Sequence, residues 1–166
     1  MIMARPSTEL VYALRKTVLR LRSGAPYQWG HLGACNCGHL AQTLTQKTKG
    51  EIHAEALRRV GDWGDVSSQY CETSGLPIDD IIGTMLRVGL TLSDIEYLEN
   101  LSDRRVLGQL PAGNRNLRHN DRDDVIRYMT VWADLLEAEL ATEPPTEPPT
   151  EPVSLEMVAV GDEEAA

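Results

Sequence analysis

Apolar residues recur at three- and four-residue spacing along most of this chain, and no window keeps the apolar/polar alternation of a half-buried strand. That pattern predicts an all-α fold. Leu10, Leu14, Val18 and Leu21 make one stripe after Ser7-Thr8, with Arg15, Lys16, Arg20 and Arg22 on the other face, which predicts a helix ending at Ser23-Gly24. Asn36, a capping residue type, predicts a short helix that carries Leu40, Ala41 and Leu44 inward and stops near Lys49-Gly50. From Glu51 to Val60 a third helix places Ile52, Ala56 and Val60 on one stripe and His53 and Leu57 on the next, stopping at Gly61. Pro77 suits the first position of a fourth, whose Ile78, Ile81, Ile82, Met85 and Leu86 face inward up to Gly89. Thr91 and Asp94 approximate a capping box, and Leu90 with Ile95 has the spacing of a hydrophobic staple, so a fifth helix runs through Ile95, Leu98 and Leu101. A turn at Ser102-Asp103 leads to one more short helix before Pro111. After a polar loop at Gly113 to Arg118, Asn120 caps a long last helix through Val125, Met129, Trp132, Leu136 and Leu140. The expectation is a single-domain bundle of about six or seven helices over residues 1–141.

A chain of 166 residues is long enough for one domain with its own core and too short to expect two. It has no Phe, so Leu, Ile, Val, Met and Ala must fill that core, with three Trp and five Tyr as the only large rings. Residues 142–166 change character: Glu-Pro-Pro-Thr repeats lead to an acidic end broken by Leu155-Glu156-Met157-Val158. Such a segment buries too little apolar surface to offset its ordering entropy, and a disordered, solubilising tail is the expectation. It carries Glu143, Glu147, Glu151, Glu156, Asp162, Glu163 and Glu164 without a Lys or Arg, so the net charge of −9 leaves residues 1–142 at −2. That body lacks the basic excess that nucleic acid or an anionic membrane surface would require. No stretch approaches the roughly 18 apolar residues of a membrane span, and Met1-Ile2-Met3-Ala4-Arg5-Pro6 has no apolar signal region, so the expected location is the cytoplasm. A homodimer or a protein partner is compatible with the many Leu and Ile faces.

Chemistry concentrates in Tyr27-Gln28-Trp29-Gly30-His31-Leu32-Gly33-Ala34-Cys35-Asn36-Cys37-Gly38-His39. The third cysteine, Cys71, lies in a similar stretch from Gly61-Asp62-Trp63-Gly64-Asp65 to Tyr70-Cys71-Glu72. Three thiols in an unexported chain argue against a disulfide framework and leave a metal site, reactive thiols or buried core cysteines. Thiolate and imidazole are the ligands zinc prefers, so Cys35, Cys37 and Cys71 with His39 or His31 would complete a tetrahedral set for zinc, or for iron or an iron–sulfur cluster. Gathering Cys35, Cys37 and His39 needs a loop or helix-start geometry, which Gly33 and Gly38 make reachable. This metal site, structural or catalytic, is the leading expectation.

Cys37 is also the candidate nucleophile, because a thiolate in the first turn of a helix is favoured by the helix dipole. His31, His39, His53 or His119 could serve as its base, with Asp62 or Asp65 orienting. The run Pro26-Tyr27-Gln28-Trp29-Gly30 followed by Cys37-Gly38-His39-Leu40-Ala41-Gln42 superficially resembles the Tyr-x-Trp-Gly and Cys-Ser-Gly-Leu stretch of cell-wall peptidases of the NlpC type, over fewer than about twenty residues. That family sets its base histidine on a strand of a following sheet, and no such strand is expected here, so no residue role is carried over. A small strained Cys35–Cys37 disulfide, or pairing of either with Cys71, would be a redox alternative. The simplest account makes all three thiols core residues of a non-catalytic interaction module, His31 and His39 loop residues bonded to backbone, and His53 and His119 surface residues. Asp79-Asp80 and Asp123-Asp124 suit the first turns of helices better than a catalytic carboxylate pair.

Overall fold

The computed structural model describes residues 4–56 and 80–143, whose backbone forms α1 (Thr8–Arg22), α2 (Asn36–Thr45), α3 (Lys49–Ala56), α4 (Asp80–Arg87), α5 (Leu92–Asn100), α6 (Arg104–Leu107) and α7 (Arg122–Thr142). A 3-10 turn at Ala112–Asn114 joins α6 to α7, and no strand occurs among the described residues, so the chain is an all-α single domain. The stretch from Leu57 to Asp79, with Asp62, Trp63, Asp65, Tyr70, Cys71 and Pro77, and the acidic segment from Pro144 onward lie outside the described residues.

Caps set the helix starts. The Ser7 hydroxyl accepts the Leu10 N–H at the head of α1 and donates to the Val88 carbonyl at 2.6 Å, pinning that start to the end of α4. Thr91 and Asp94 form the expected capping box on α5: the hydroxyl accepts the Asp94 N–H, and the carboxylate accepts the Thr91 N–H. Two caps fall one residue from their expected places. Asp121 rather than Asn120 caps α7, accepting the N–H groups of Asp123 and Asp124, and Cys35 rather than Asn36 is the N-cap of α2. The α2 helix also ends earlier than its pattern implied, because Gln46 turns into the left-handed region at φ 59°. A new helix, α3, then opens at Lys49, led by Thr48 and Glu51, each bonding the other's backbone N–H.

The longest helices, α1 and α7, pack on one another, and α2 sits in the middle, touching α1, α3, α4 and α5. Such a position buries the first six residues of α2, Asn36 through Ala41, and Thr43, and leaves only Gln42, Leu44 and Thr45 partly exposed. Around it Leu10, Leu14, Leu21, Leu40, Ile52, Ile81, Met85, Ile95, Leu98, Met129 and Leu136 make the core, with Tyr128 edge-on to Trp132 supplying its large rings. Among the described residues no helix is long and apolar enough to cross a membrane.

Candidate functional site

The segment from Gly24 to Cys35 leaves α1, arches over α2 and re-enters it, and its shape follows from two glycines with no room for a side chain. A Cβ on Gly33 would overlap the Lys49 carbonyl, and one on Gly38 would stand 2.5 Å from the Leu32 carbonyl oxygen and 2.6 Å from the Gly33 carbonyl carbon. The loop is therefore wedged between α2 and α3. Within it, the Gln28 N–H donates to the Ala34 carbonyl (3.0 Å), the Ala34 and Cys35 N–H groups donate to the His31 carbonyl, and Gln42 donates its amide to the Gly33 carbonyl at 2.6 Å. Gly30, at φ 85°, supplies the turn that sets Trp29 and His31 side by side on this arch.

Three ring pairs line the arch and use all four histidines of the chain. Tyr27 stacks on His39 with centroids 6.1 Å apart, Trp29 leans on His119 at 4.4 Å, and His31 stacks on His53 of α3 at 4.1 Å. Backbone and side chain fix the tautomers. The Leu32 N–H donates to His53 Nδ1 (3.0 Å) and the Gly33 N–H to His31 Nδ1 (3.1 Å), so each neutral imidazole keeps its proton on Nε2. His39 follows the same rule: Arg20 donates to its Nδ1 at 3.0 Å, and its Nε2–H donates to the Pro26 carbonyl at 2.8 Å. Burial is the main force holding His39 neutral, lowering its pKa to about 4, and the Arg20 charge adds to it. His31 is lowered too, by burial first and then by His53 and Lys49.

The thiols are equally committed. Cys37, without exposed surface, donates its Sγ–H to the Ile95 carbonyl at 3.2 Å, and buried Cys35 reaches the Leu32 carbonyl at 3.7 Å. Asn36 works as a hub, its side-chain amide donating to the carbonyls of Leu98 (3.1 Å), Glu99 (3.0 Å) and His119 (3.0 Å), while Tyr27 donates to its Oδ1 at 2.6 Å. Two of those carbonyls belong to the last turn of α5, beyond the helical i→i+4 ladder, where the Leu101 N–H reaches the Leu98 carbonyl only at 3.4 Å.

The proposed ligands and nucleophile thus sit in these places: Cys35, Cys37 and His39 on or at the head of buried α2, His31 on the arch, and Cys71 outside the described residues. Cys35 and Cys37 aim at different elements, toward the loop and toward α5. A metal bound at Nε2 of a histidine needs the proton on Nδ1, and at His31, His39 and His53 that nitrogen accepts a hydrogen bond instead. Among the described residues no three His, Cys, Asp or Glu side chains are grouped to hold a metal ion. The sequence offers His53 and His119 only as possible bases for Cys37 or as surface residues, since each is isolated from the Cys-rich run; the fold brings them to His31 and Trp29 instead. Comparison with known protein families, with curated proteins and with solved structures finds no match.

Proposed function

We propose that this chain is a non-catalytic helical binding module whose recognition surface is the clamped arch Tyr27–Gly33 with His53 and His119 beside it. One observation supports the reading above the rest: the described thiols, Cys35 and Cys37, and the Nδ1 atoms of His31, His39 and His53 are spent on hydrogen bonds within the fold, while the rings of Tyr27, Trp29, His31 and His53 stay half-buried. A nucleophile needs access, and Cys37 has none. Trp29 and Tyr27 are residue types that dominate binding energy at interfaces, and here each packs against an imidazole, of His119 and His39 respectively, before any partner arrives.

Two measurements test it together. Cys35 and Cys37 in the native full chain should react with iodoacetamide only as fast as the protein unfolds, and protein purified without a metal resin should hold no stoichiometric zinc or iron. A partner retained from extracts of the source cells by the wild type should be lost to a Trp29→Ser, His119→Ser double variant of unchanged thermal midpoint. One zinc per chain with protected thiols, or a fast-reacting Cys37, would return the chain to the metal or nucleophile alternatives.

A further inference from the structure

We propose that the His31–His53 pair with Lys49 forms an oxyanion subsite, taking the carboxylate or phosphate group of whatever ligand binds the arch. This rests on the binding-module reading and names the chemistry of what is bound. The pair offers donors alone. Both Nδ1 acceptors are filled by the adjacent backbone N–H groups of Leu32 and Gly33, and both Nε2–H groups make no hydrogen bond among the described residues. Lys49 carries its charge close enough to disfavour protonation of His31, and it forms no ion pair among the described residues. The nearest acid along α3, Glu51, is turned to the Thr48 N–H (2.8 Å) and hydroxyl (3.0 Å) instead. Lys47 stands before α3, and Arg20 of α1 reaches the α2 side of the loop, where it donates to the uncharged His39 ring. A ligand acceptor group would meet three donors, two of them on rings already immobilised by stacking at 4.1 Å.

Because both Nδ1 atoms already accept backbone N–H groups, the Nε2–H donors are available without imidazolium. Adventitious attraction to protonated surface histidines instead falls about tenfold per pH unit above their pKa. The full chain with 15N-labelled histidine is titrated with sulfate and, separately, with acetate, at constant ionic strength and at pH 7.0 and 8.5. Saturable shifts of the His31 and His53 ring nitrogens are expected, with His119 unmoved, a half-saturation concentration changing less than about twofold between the two pH values, and a loss of at least about threefold in affinity in Lys49→Gln. Tighter sulfate assigns a phosphate-type group and tighter acetate a carboxylate. Absence of saturation, equal shifts at His119, or affinity that collapses at pH 8.5 overturns the subsite. The same spectra report the tautomers: if the proton lies on Nδ1 of His31 and His53, the arch geometry beneath the binding-module reading fails, whereas Nε2–H tautomers without a sulfate or acetate response remove the subsite alone.

Discussion

His39 makes the fold acid-labile by an amount that can be worked out. Its ring is buried, accepts from Arg20 and donates to Pro26, and protonation would place a second positive charge against the guanidinium while removing an acceptor. The native pKa is lowered to about 4 from the ordinary 6.5. A histidine with a lowered folded pKa contributes stability that is complete above the unfolded value and lost as pH falls toward the folded one. Integrated between those two values, the loss is about 2 kcal/mol from pH 7 to 5 and about 3 kcal/mol by pH 4. Urea unfolding followed by tryptophan fluorescence at pH 7, 6 and 5 measures it, with His39→Gln as the reference, since Gln keeps a donor for the Pro26 carbonyl and does not titrate. The variant will be less stable at pH 7, but its decline to pH 5 should be shallower than wild type by about 2 kcal/mol. Contributions from His31 and Asp94 are common to both proteins and cancel in the difference. Equal slopes, within about 0.5 kcal/mol, would refute the idea that His39 is held neutral by the fold.

Three further outcomes are open to denaturation experiments. Gly33→Ala drives a methyl into the Lys49 carbonyl and should cost about 3 kcal/mol or more, whereas Gly50→Ala, in open space on the touching helix, should stabilise by about 0.5 kcal/mol; similar effects at both would contradict the wedge. Asn36→Asp is nearly isosteric yet turns a donor toward three carbonyls into a carboxylate, so a loss of about 3 kcal/mol at neutral pH, partly recovered in acid, is expected, and a neutral result would remove Asn36 as the hub. Arg15 bridges Asp134 at 2.9 Å and Glu137 at 2.5 Å across α1 and α7, but the pair is solvent-exposed; Arg15→Ala should therefore cost under about 1 kcal/mol and less in high salt.

What was legible in the sequence was whatever follows from a helix with one wet face. The stripe of α1, the Thr91–Asp94 box of α5 and the long periodic run of α7 each announce themselves, because amphipathicity and capping are local properties. The cap shifts at Cys35 and Asp121 were not legible, since a neighbouring Asn satisfies the same local preference and tertiary bonding decides between them. Asn36 shows how: its Nδ2 donates to carbonyls at the end of α5, more than sixty positions away, and its Oδ1, the atom an N-cap would use, accepts from Tyr27 instead. The ring pairs of the arch were half legible. Trp29, His31 and His39 stood out by composition, but His119 reaches Trp29 only because the loop before α7 folds back beside Asn36 and Tyr27.

The density of Cys, Asn, Gly and His from Cys35 to His39 has a physical cause in packing. A helix surrounded by four others has no stripe to display, and a short one in that position must leave space for close neighbours, so small residues such as Cys, Gly, Ala and Thr serve where Leu would overfill. Polar members are then tolerable only if each finds a partner, and they do: Cys37 with Ile95, Asn36 with α5 and His119, His39 with Arg20 and Pro26, Thr43 with Thr17 at 2.7 Å. At the edge of that packing the arch held by α2 and α3 keeps the stacked imidazoles of His31 and His53 in place, each Nδ1 accepting a backbone N–H and each Nε2–H without a hydrogen bond among the described residues.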